Sequence, residues 1–457
     1  MAVFSTIPFT RLKRAKRIDS EYYQPKYLAL DELHKRGQWL PIRKYLDLCE
    51  YGISIKMNED GDGQKIFRMD DLKNGFVFDI QMKYAPIDEE TFQKFRLQHN
   101  DILFNRVNSE EFVGRTGIFK LRGNYVLASY LVRLRTNNTI SPDALNLFLN
   151  SRYGVLSIRR LSRRAVNQAN VNAQELQSIL MPRFSSDMQS ALTKCSDYSW
   201  GLFAEAERLY LQAEQLLISE LGLQNWKPKH TLTYFRNYSQ ATLARRMDAE
   251  HFQPKFDEVA RHISAYHPQR LSKLATQIIE AVKFDEQQKY RYIEISDVNT
   301  SNGEIGYTER EVKDLPPNAK IKVKGGELIV SKVRPTRGAI GVVPNDCRDN
   351  SVCSSAFVVL DVPSPIREFL QVYLRSTVGR TLLEQPCKGT SYPTIDDTDI
   401  KALPVPAISS KAQERISELV SQSRLARREA KAILVKAKRA VEIAIEEGED
   451  KALQFIG

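Results

Sequence analysis

Residues 17–27 read RIDSEYYQPKY and residues 246–256 read RMDAEHFQPKF, so six of eleven positions are identical across a repeat distance of 229 residues. Most of the differences preserve chemical character. A period this long excludes a solenoid of short units and indicates that whole domains are duplicated. The repeat therefore predicts two similar domains that perform one task at two places on one partner.

The duplication extends into the body of each half. Residues 101–107 read DILFNRV and residues 327–333 read ELIVSKV, a pattern typical of a buried strand that leads into a basic loop. Glycine-bearing and β-branched segments also correspond, and the matched pairs are 114–118 with 337–341 and 128–132 with 354–358. Helical stretches are predicted at about 142–163 and 364–384, each beginning near a Ser-Pro pair. Each half should thus contain several strands and a helical segment.

A heptad-like pattern follows each half. From Met188 onward, small and apolar residues recur in steps of fours and threes at Leu192, Cys195, Ser199, Leu202, Ala206, Leu209, Ala213 and Leu216, and again at Ala412, Ile416, Leu419, Ser423, Ala426, Ala430, Ile433, Ala437, Ala440 and Ala444. One such stripe would also fit a helix packed on its own domain. Two stripes of similar length fit each other better, which predicts an intramolecular antiparallel pair of helices, each roughly 50 to 60 Å long.

The composition indicates a soluble globular protein with a polyanionic partner. The chain has 457 residues, 42% of them hydrophobic, which suffices for at least two domain cores. A formal net charge of +11 favours nucleic acid, although charge alone would also fit an ordinary basic surface. The five cysteines are scattered without a CxxC pair, and we interpret them as reduced structural thiols of a cytoplasmic protein. The sequence contains neither an apolar leader nor a run long enough to span a bilayer, so we expect no export and no membrane partner.

The order of domain, helix, domain and helix, with a repeated motif ahead of each domain, resembles the specificity subunit of type I restriction-modification systems. The resemblance covers nearly the whole chain and rests on the Arg-x-Asp-x-Glu-x-x-Gln-Pro-Lys motifs at Arg17 and Arg246, the strands after Asp101 and Glu327, and the heptad helices. It implies that each globular half reads one part of a split sequence in double-stranded DNA. It also implies that the helices fix the spacing and dock two methyltransferase (M) subunits, and that a restriction motor (R) subunit joins this core.

The expected fold is α+β, with two duplicated target recognition domains, each a mixed α/β globule, separated by two long helices that pair as an antiparallel coiled coil. The expected limits are 1–27 for a basic segment with the first motif, 28–184 for target recognition domain 1, 185–223 for spacer helix 1, 224–256 for a linker with the second motif, 257–408 for target recognition domain 2, 409–447 for spacer helix 2 and 448–457 for a C-terminal tail.

DNA recognition requires phosphate-binding cations beside side chains that pair with base edges, and the sequence offers both kinds. In the first half the candidates are Arg106, Asn108, Arg115, Asn167 and Gln168, together with Arg152, Arg159, Arg160, Arg163 and Arg164, a series with no acidic residue between its members. In the second half they are Lys332, Arg334, Arg337, Lys388, Thr390, Ser391 and Tyr392. The alternatives are a solvated helix for the arginines and an ordinary turn for the loop. Residues 387–393 match the glycine turn of the resembling family, whereas residues 166–171 depart from it because they lack glycine.

The sequence predicts no catalytic residue, no metal site and no cofactor. The string nearest to the Asn-Pro-Pro-aromatic loop of adenine methyltransferases is Leu315-Pro316-Pro317-Asn318, which lacks the leading Asn and the aromatic residue. A Walker A string, a dinucleotide fingerprint and an HExxH pair are also missing from the sequence. We therefore expect a non-catalytic recognition subunit. A self-contained nucleic-acid enzyme (a methyltransferase or nuclease) with scattered carboxylates, or a coiled-coil protein scaffold, are the alternatives.

Overall fold

The computed structural model describes residues 5–15, 17–80, 82–110, 112–165 and 168–457, apart from the side chains of residues 14, 164 and 165. The chain divides into two units. Unit 1 comprises Met1–Phe203 and Arg428–Gly457, and unit 2 comprises Ala204–Arg427. Within the described ranges, no helix is long and apolar enough to cross a membrane.

Helices and short strands are mixed along the chain, which confirms the predicted α+β class. The α-helices are α1 (Phe9–Ala15), α2 (Pro25–His34), α3 (Glu89–Phe95), α4 (Pro142–Leu149), α5 (Arg152–Leu161), α6 (Ala173–Ser178), α7 (Ser186–Glu220), α8 (Tyr238–Ala244), α9 (Pro254–Ser264), α10 (Ile366–Arg375), α11 (Thr377–Glu384), α12 (Asp397–Ala402), α13 (Ser410–Glu447) and α14 (Glu449–Ile456). The strands of unit 1 are β1 (Trp39–Pro41), β2 (Leu46–Tyr51), β3 (Gln64–Phe67), β4 (Leu72–Lys73), β5 (Phe76–Val77), β6 (Lys83–Ala85), β7 (Ile102–Asn105), β8 (Val107–Asn108), β9 (Thr116–Ile118), β10 (Tyr125–Leu127), β11 (Leu131–Thr136), β12 (Arg163–Ala165), β13 (Gln168–Asn170) and β14 (Leu180–Pro182). Those of unit 2 are β15 (Gln269–Arg270), β16 (Thr276–Ile278), β17 (Lys289–Ile293), β18 (Thr308–Glu311), β19 (Ala319–Lys322), β20 (Leu328–Ser331), β21 (Ile340–Val342), β22 (Ser351–Ser354), β23 (Phe357–Asp361) and β24 (Pro404–Val405).

The main sheet of each unit has the same central strand order. It runs β2-β11-β7-β9-β5-β4 in unit 1 and β16-β23-β20-β21 in unit 2. The apolar segments after Asp101 and Glu327 form the buried strands β7 and β20, as predicted. A smaller sheet in each unit contains a parallel pair, β3 with β10 and β17 with β22. The sequence repeat therefore corresponds to a repeated topology.

The strand pairing fixes which glycines correspond. Leu103 lies opposite Gly117, and Ile329 lies opposite Gly341. Gly117 thus corresponds to Gly341, and the predicted match of residues 114–118 with 337–341 is wrong by one position. Both segments contain two glycines separated by two residues. Aligning the segments by their first residue leaves each glycine one position away from its counterpart.

A helix pair with a sharp corner follows the sheets in each unit. Each predicted helical stretch divides into two helices, α4 with α5 and α10 with α11, because a buried serine caps the second one. Ser151 accepts a hydrogen bond from Gly154 N, and Ser376 accepts one from Gly379 N. A Cβ atom on either glycine would lie 2.1 Å from a carbonyl oxygen of the preceding helix. Only glycine fits this close approach.

The long helices α7 and α13 pack antiparallel within each unit, which confirms the predicted pair. In unit 1 the Ser199 hydroxyl donates to the Ala430 carbonyl at 2.9 Å. In unit 2 the Ser423 hydroxyl donates to the Ala206 carbonyl at 2.7 Å, so the two helices exchange the roles of donor and acceptor. The start of α13 also meets the end of α7, since Ser409 Oγ lies 3.5 Å from a carboxylate oxygen of Glu220.

The buried line along each long helix differs in part from the predicted seam. The predicted positions that are only partly buried are Cys195, Leu202, Leu216, Ala426, Ile433 and Ala444. Neighbouring positions are buried instead, namely Ser196, Phe203 and Leu217 on α7 and Arg427 and Leu434 on α13. Arg427 is 4% exposed and its Nη2 lies 2.8 Å from Glu207 Oε1. The seam therefore contains a buried cation that an apolar pattern does not select.

Two segments that were expected to be a linker and a tail contain helices. Residues 224–256 include α8 and a 3-10 helix at Ala249–Phe252. Residues 448–457 include α14. Packing stabilises this helix, since Ala452 is buried and Leu453 and Ile456 pack against the core of unit 1.

Candidate nucleic-acid interface

A small sheet in unit 1 brings together three of the predicted DNA-binding residues of the first half. Its strand order is β12-β13-β8, so Arg163, Gln168 and Asn108 lie on adjacent strands. Arg163 and Gln168 are exposed, while Asn108 is partly buried. Asn167 and the side chain of Arg164 lie outside the described part of the chain.

Unit 2 has a loop at the same place in its topology. Thr394 forms bridges with both Lys388 and Val333, as β13 does with β12 and β8. Between Lys388 and Thr394 the chain turns through Gly389, whose φ is +86°. The turn exposes the side chains of Thr390, Ser391 and Tyr392. The glycine turn of unit 2 therefore occupies a place equivalent to that of β12 and β13 in unit 1.

Arg334 joins the two predicted segments of the second half. Its backbone N donates to the Pro393 carbonyl at 2.7 Å, and its Nη2 donates to the Ser391 carbonyl at 3.0 Å. Its guanidinium carbon lies 4.1 Å from the centre of the Tyr392 ring. The result is a cluster of one partly buried cation with an exposed aromatic ring and two exposed hydroxyl side chains.

The other cations of this surface differ in their partners. Lys332 Nζ lies 3.0 Å from Asp397 Oδ1. Lys388 Nζ donates to Asp396 Oδ2 at 2.8 Å, and this hydrogen bond raises the pKa of Lys388. Arg337 is exposed and has no ion-pair partner among the described residues.

The predicted cations beside β7 in unit 1 stack on aromatic rings. The Arg106 guanidinium lies 4.8 Å from the Tyr51 ring centre, and its Nε donates to the Ser129 carbonyl at 3.1 Å. The Arg115 guanidinium lies 3.9 Å from the Phe112 ring centre. Stacking of this kind restricts the plane of each guanidinium.

The arginine series of the first half has carboxylate partners, contrary to the premise drawn from its local sequence. The ion pairs are Arg152 with Glu446 at 2.6 Å, Arg160 with Asp31 at 2.6 Å and Arg163 with Glu175 at 2.9 Å. Arg160 makes two hydrogen bonds to Asp31 and its side chain is 11% exposed, so it stabilises the fold of unit 1. Arg159 on α5 and Arg163 on β12 are both exposed. That the series binds DNA stays a prediction.

The repeated motif binds the backbone at or just after the end of the second helix of each pair, a role that the sequence analysis did not assign. Arg17 forms an ion pair with Asp19 at 2.8 Å and donates to the last carbonyl of α5 at 3.2 Å. Arg246 pairs with Asp248 at 2.7 Å and donates to the Cys387 carbonyl at 2.8 Å, next to Lys388. In each pair the hydrogen bond from arginine lowers the pKa of the carboxyl group. The recurrence of Arg and Asp at fixed spacing was the signal for this role.

The described side chains do not assemble into a metal-binding group: no three of their His, Cys, Asp and Glu residues lie close enough to hold an ion. The surface instead offers cations, amides, hydroxyls and aromatic rings. These are the groups that contact phosphates and base edges in protein–DNA complexes.

Three curated proteins show what this chain is similar to in sequence. It is 28% identical over 181 residues to the type I restriction enzyme MjaX specificity subunit of Methanocaldococcus jannaschii, a match that covers 38% of this chain and 42% of the relative. It is 27% identical over 162 residues to the EcoKI specificity subunit of Escherichia coli K12, covering 34% and 35% of the two chains. It is 31% identical over 115 residues to the HindI specificity subunit of Haemophilus influenzae, covering 24% and 25%. The chain thus spans less than half the length of the curated relatives it matches.

Solved structures give a weaker likeness. The S subunit of a type I restriction-modification system from M. genitalium aligns with a TM-score of 0.37 at 12% identity, covering 93% of this chain and 97% of that one. The HsdS subunit from Thermoanaerobacter tengcongensis aligns with a TM-score of 0.28 at 13% identity, covering 91% and 96%. Both TM-scores are low, so the relationship rests on the sequence matches. No protein-family model matches the chain.

Proposed function

We propose that this chain, a relative of the specificity subunits of type I restriction enzymes, is the non-catalytic DNA-recognition subunit of a restriction-modification complex. It binds a split target in double-stranded DNA and docks two methyltransferase (M) subunits, which a restriction motor (R) subunit joins. The complex methylates host DNA in the cytoplasm and cuts unmodified phage DNA. The chain itself needs no cofactor.

One observation carries this proposal: in two units of the same topology, a polar segment pairs with the basic segment that follows a buried strand. In unit 1 the polar segment comprises β12 and β13, and β13 pairs with β8, which follows β7. In unit 2 it runs from Lys388 to Thr394, and Thr394 bridges to Val333, which follows β20. A duplicated reader of this kind fits a target with two specified parts.

The exposed polar side chains of these two segments differ, so the two halves of the target should differ as well. Gln168 on β13 is exposed in unit 1, whereas Lys388 and Tyr392 are exposed in unit 2. Amides pair with adenine, and cations pair with guanine or phosphate. We therefore expect an asymmetric target whose two short specified parts lie about one helical turn apart.

The long helices leave outer faces for the methyltransferase subunits. The exposed cations of α13 include Lys411 and Arg428. Because the seam buries only one side of each helix, these charges stay available to an acidic partner surface. The repeated units would offer an equivalent docking place to each of two identical subunits.

Mapping methylated adenines in cells with and without this chain tests the proposal. The expected result is a set of adenines that lose methylation when the chain is removed, all within one asymmetric bipartite sequence. A continuous or palindromic sequence would contradict the split reader.

Incubating the lone chain with DNA and the methyl donor separates the proposal from its alternatives. A recognition subunit should bind DNA without methylating or cutting it. Methylation or cleavage by the lone chain would identify a self-contained enzyme. Binding of protein partners but not of DNA would identify a scaffold.

A further inference from the structure

We propose that Arg334 reads a guanine in the half-site that unit 2 recognises, with Tyr392 and Ser391 holding its guanidinium in place. This inference rests on the proposed function and names the base that one side chain selects. Four observations support it: the backbone conformation of Arg334, the bonds of its side chain, its free donors and the different side chain at the corresponding position of unit 1.

The backbone of Arg334 adopts a conformation that arginine rarely adopts. Its φ is +48° and its ψ is +52°, in the left-handed region. A side chain in this region is unfavourable unless the surroundings enforce it, and such residues cluster at functional sites. Here the N–H of Arg334 donates to the Pro393 carbonyl at 2.7 Å, and Pro335 follows directly. The chain therefore turns sharply at Arg334, where its side chain meets the 388–394 loop.

The Arg334 guanidinium is oriented before any ligand arrives. Its carbon lies 4.1 Å from the Tyr392 ring centre, and its Nη2 donates to the Ser391 carbonyl at 3.0 Å. Stacking restricts the plane of the group, and the hydrogen bond restricts rotation within that plane. A cation that is already oriented loses less conformational entropy when it binds. Tyr392 is itself 66% exposed, so the stacked pair lies at the surface.

The fixed guanidinium keeps a complete pair of donors. Arginine carries five N–H groups, and Nη2 has two of them, one on each side. The Ser391 carbonyl accepts one Nη2 hydrogen, while Nε and Nη1 have no hydrogen-bond partner among the described residues. One two-donor edge of the guanidinium therefore stays free.

A two-donor edge matches guanine and no other base in the major groove. Guanine presents two neighbouring acceptors, N7 and O6, whereas adenine presents one acceptor beside the N6 amino donor. Two fixed donors facing adenine would leave one of them opposed by another donor. A phosphate also offers two acceptors, and the experiment below distinguishes it from guanine.

The side chain of the corresponding residue in unit 1 already has partners within that unit. Asn108 lies three residues after the end of β7, as Arg334 lies three residues after the end of β20. Asn108 Nδ2 contacts Met69 Sδ at 3.4 Å, and its Oδ1 accepts from Ser109 N at 2.8 Å. Unit 1 therefore lacks an equivalent guanine reader at this position, and a change at Arg334 should alter one half-site only.

The experiment measures binding of the full-length chain to the duplex whose sequence methylation mapping defines. Each guanine is replaced in turn by 7-deazaguanine, which pairs normally but lacks N7. We expect one guanine of one half-site at which this replacement weakens wild-type binding by about 5- to 150-fold. Arg334→Gln should bind the unmodified duplex more weakly and lose its sensitivity at that guanine, while it keeps its sensitivity in the other half-site.

Two variants separate base reading from phosphate binding and from loss of the loop. Arg334→Lys keeps the charge, but its ammonium has no flat two-donor edge, so it should bind with near wild-type salt dependence and a reduced preference for guanine. Tyr392→Phe keeps the stacked ring and should keep the preference. As a matched control, Arg337→Gln removes a neighbouring exposed cation and should weaken binding to all sequences alike.

Several results would overturn the inference. A second half-site with no guanine on either strand, or an unchanged deazaguanine sensitivity in Arg334→Gln, would show that Arg334 reads no guanine. Weaker binding of Arg334→Gln to every sequence alike would assign Arg334 to a phosphate. Wild-type protein that binds no DNA would instead refute the proposed function, and with it the inference.

Discussion

Two corresponding glycines show how strictly single residues are specified in this fold. Gly154 and Gly379 lie at the corner between two helices, where a Cβ atom would come within 2.1 Å of a backbone carbonyl oxygen. Backbone atoms of a buried corner cannot move aside as a flexible side chain can. Gly154→Ala and Gly379→Ala should therefore each destabilise their unit by at least about 2 kcal/mol, as overpacking of a core does.

Gly201 is the matched control for these substitutions. It lies exposed inside α7 with no atom within 4 Å of an added Cβ. Because alanine favours a helix interior, Gly201→Ala should stabilise the protein by about 1 kcal/mol. Denaturant unfolding of the three variants measures the predicted loss and the predicted gain in the free energy of unfolding. An unchanged free energy of unfolding in Gly154→Ala would contradict the tight corner.

A buried carboxyl group makes the stability of unit 1 depend on pH. Burial raises the pKa of Asp71 to about 6, although its carboxylate accepts a hydrogen bond from Arg68 N at 2.6 Å. The folded state therefore binds this proton more tightly than the unfolded state. Stability contributed by the protonated form is present at about pH 4 and is lost as the pH rises through about 6.

Asp71→Asn should remove this pH dependence. The variant should be more stable than the wild type at neutral pH, by up to roughly 3 kcal/mol, with the difference shrinking toward pH 4. Thermal melts between pH 4 and 7 measure the difference, and Asp70→Asn, at an exposed neighbour, controls for net charge. Parallel curves for wild type and Asp71→Asn would show that Asp71 does not cause the dependence.

The types of residue at the candidate interface could be predicted from the sequence, but their partners could not. The arginines from Arg152 to Arg163 look uncompensated because local sequence shows no carboxylate between them. Three of them have carboxylate partners 294, 129 and 12 residues away. Likewise, the stack of Arg334 on Tyr392 depends on a loop that returns across more than fifty residues, a separation that periodicity does not report.

At the scale of elements, the long helices could be predicted to pair, whereas their buried line could not be placed fully. Neighbouring apolar residues such as Leu202 and Phe203, or Leu216 and Leu217, satisfy two alternative frames equally well. The buried positions that distinguish the two frames include polar residues. Ser196 is fully buried, and the buried Arg427 pairs with Glu207. Hydropathy gives these residues no preference for the seam.

Glutamate at two buried alanines should separate the long helices. Ala430 and Ala437 are both 0% exposed in the core of unit 1. Two unpaired carboxylates there cost several kcal/mol, so Ala430→Glu with Ala437→Glu should lower the melting temperature of unit 1 and abolish co-purification with the methyltransferase. The control for the melting temperature places the same charges on the outer face, with Leu425→Glu and Val435→Glu at positions 65% and 61% exposed, and should leave that temperature nearly unchanged. Normal complex formation by the buried double variant would contradict the antiparallel pair.

At the scale of the whole molecule, the net charge of +11 predicts that DNA binding weakens as salt increases. If Arg159 and Arg163 contact phosphates, replacing each by Gln should reduce the slope of log affinity against log salt by about 0.9 and weaken binding to all sequences alike. Lys35→Gln with Lys451→Gln removes equal charge from unit 1 at sites never assigned to the interface. If both double variants changed the slope equally, general charge rather than phosphate contact would explain the effect.

The repeat of residues 17–27 at 246–256 was sufficient to predict two units of related topology, because each copy precedes the same series of strands and helices. It could not show where one unit ends and the other begins. The division falls inside both long helices, at Phe203 and at Arg428. Contacts between distant parts of the chain set that division, and a linear pattern does not contain them.

This division has a consequence for synthesis on the ribosome. The core of unit 1 combines chain segments that precede and follow unit 2 in the sequence, since Ala430, Ala437 and Val441 pack in the same cluster as Leu192 and Phe203. The ribosome synthesises all of residues 204–427 before it adds residue 428. The half that is translated first is therefore completed last, while unit 2 emerges as one uninterrupted segment. A premature stop codon after Arg427 would yield a chain with one finished unit and one whose core is still open to water.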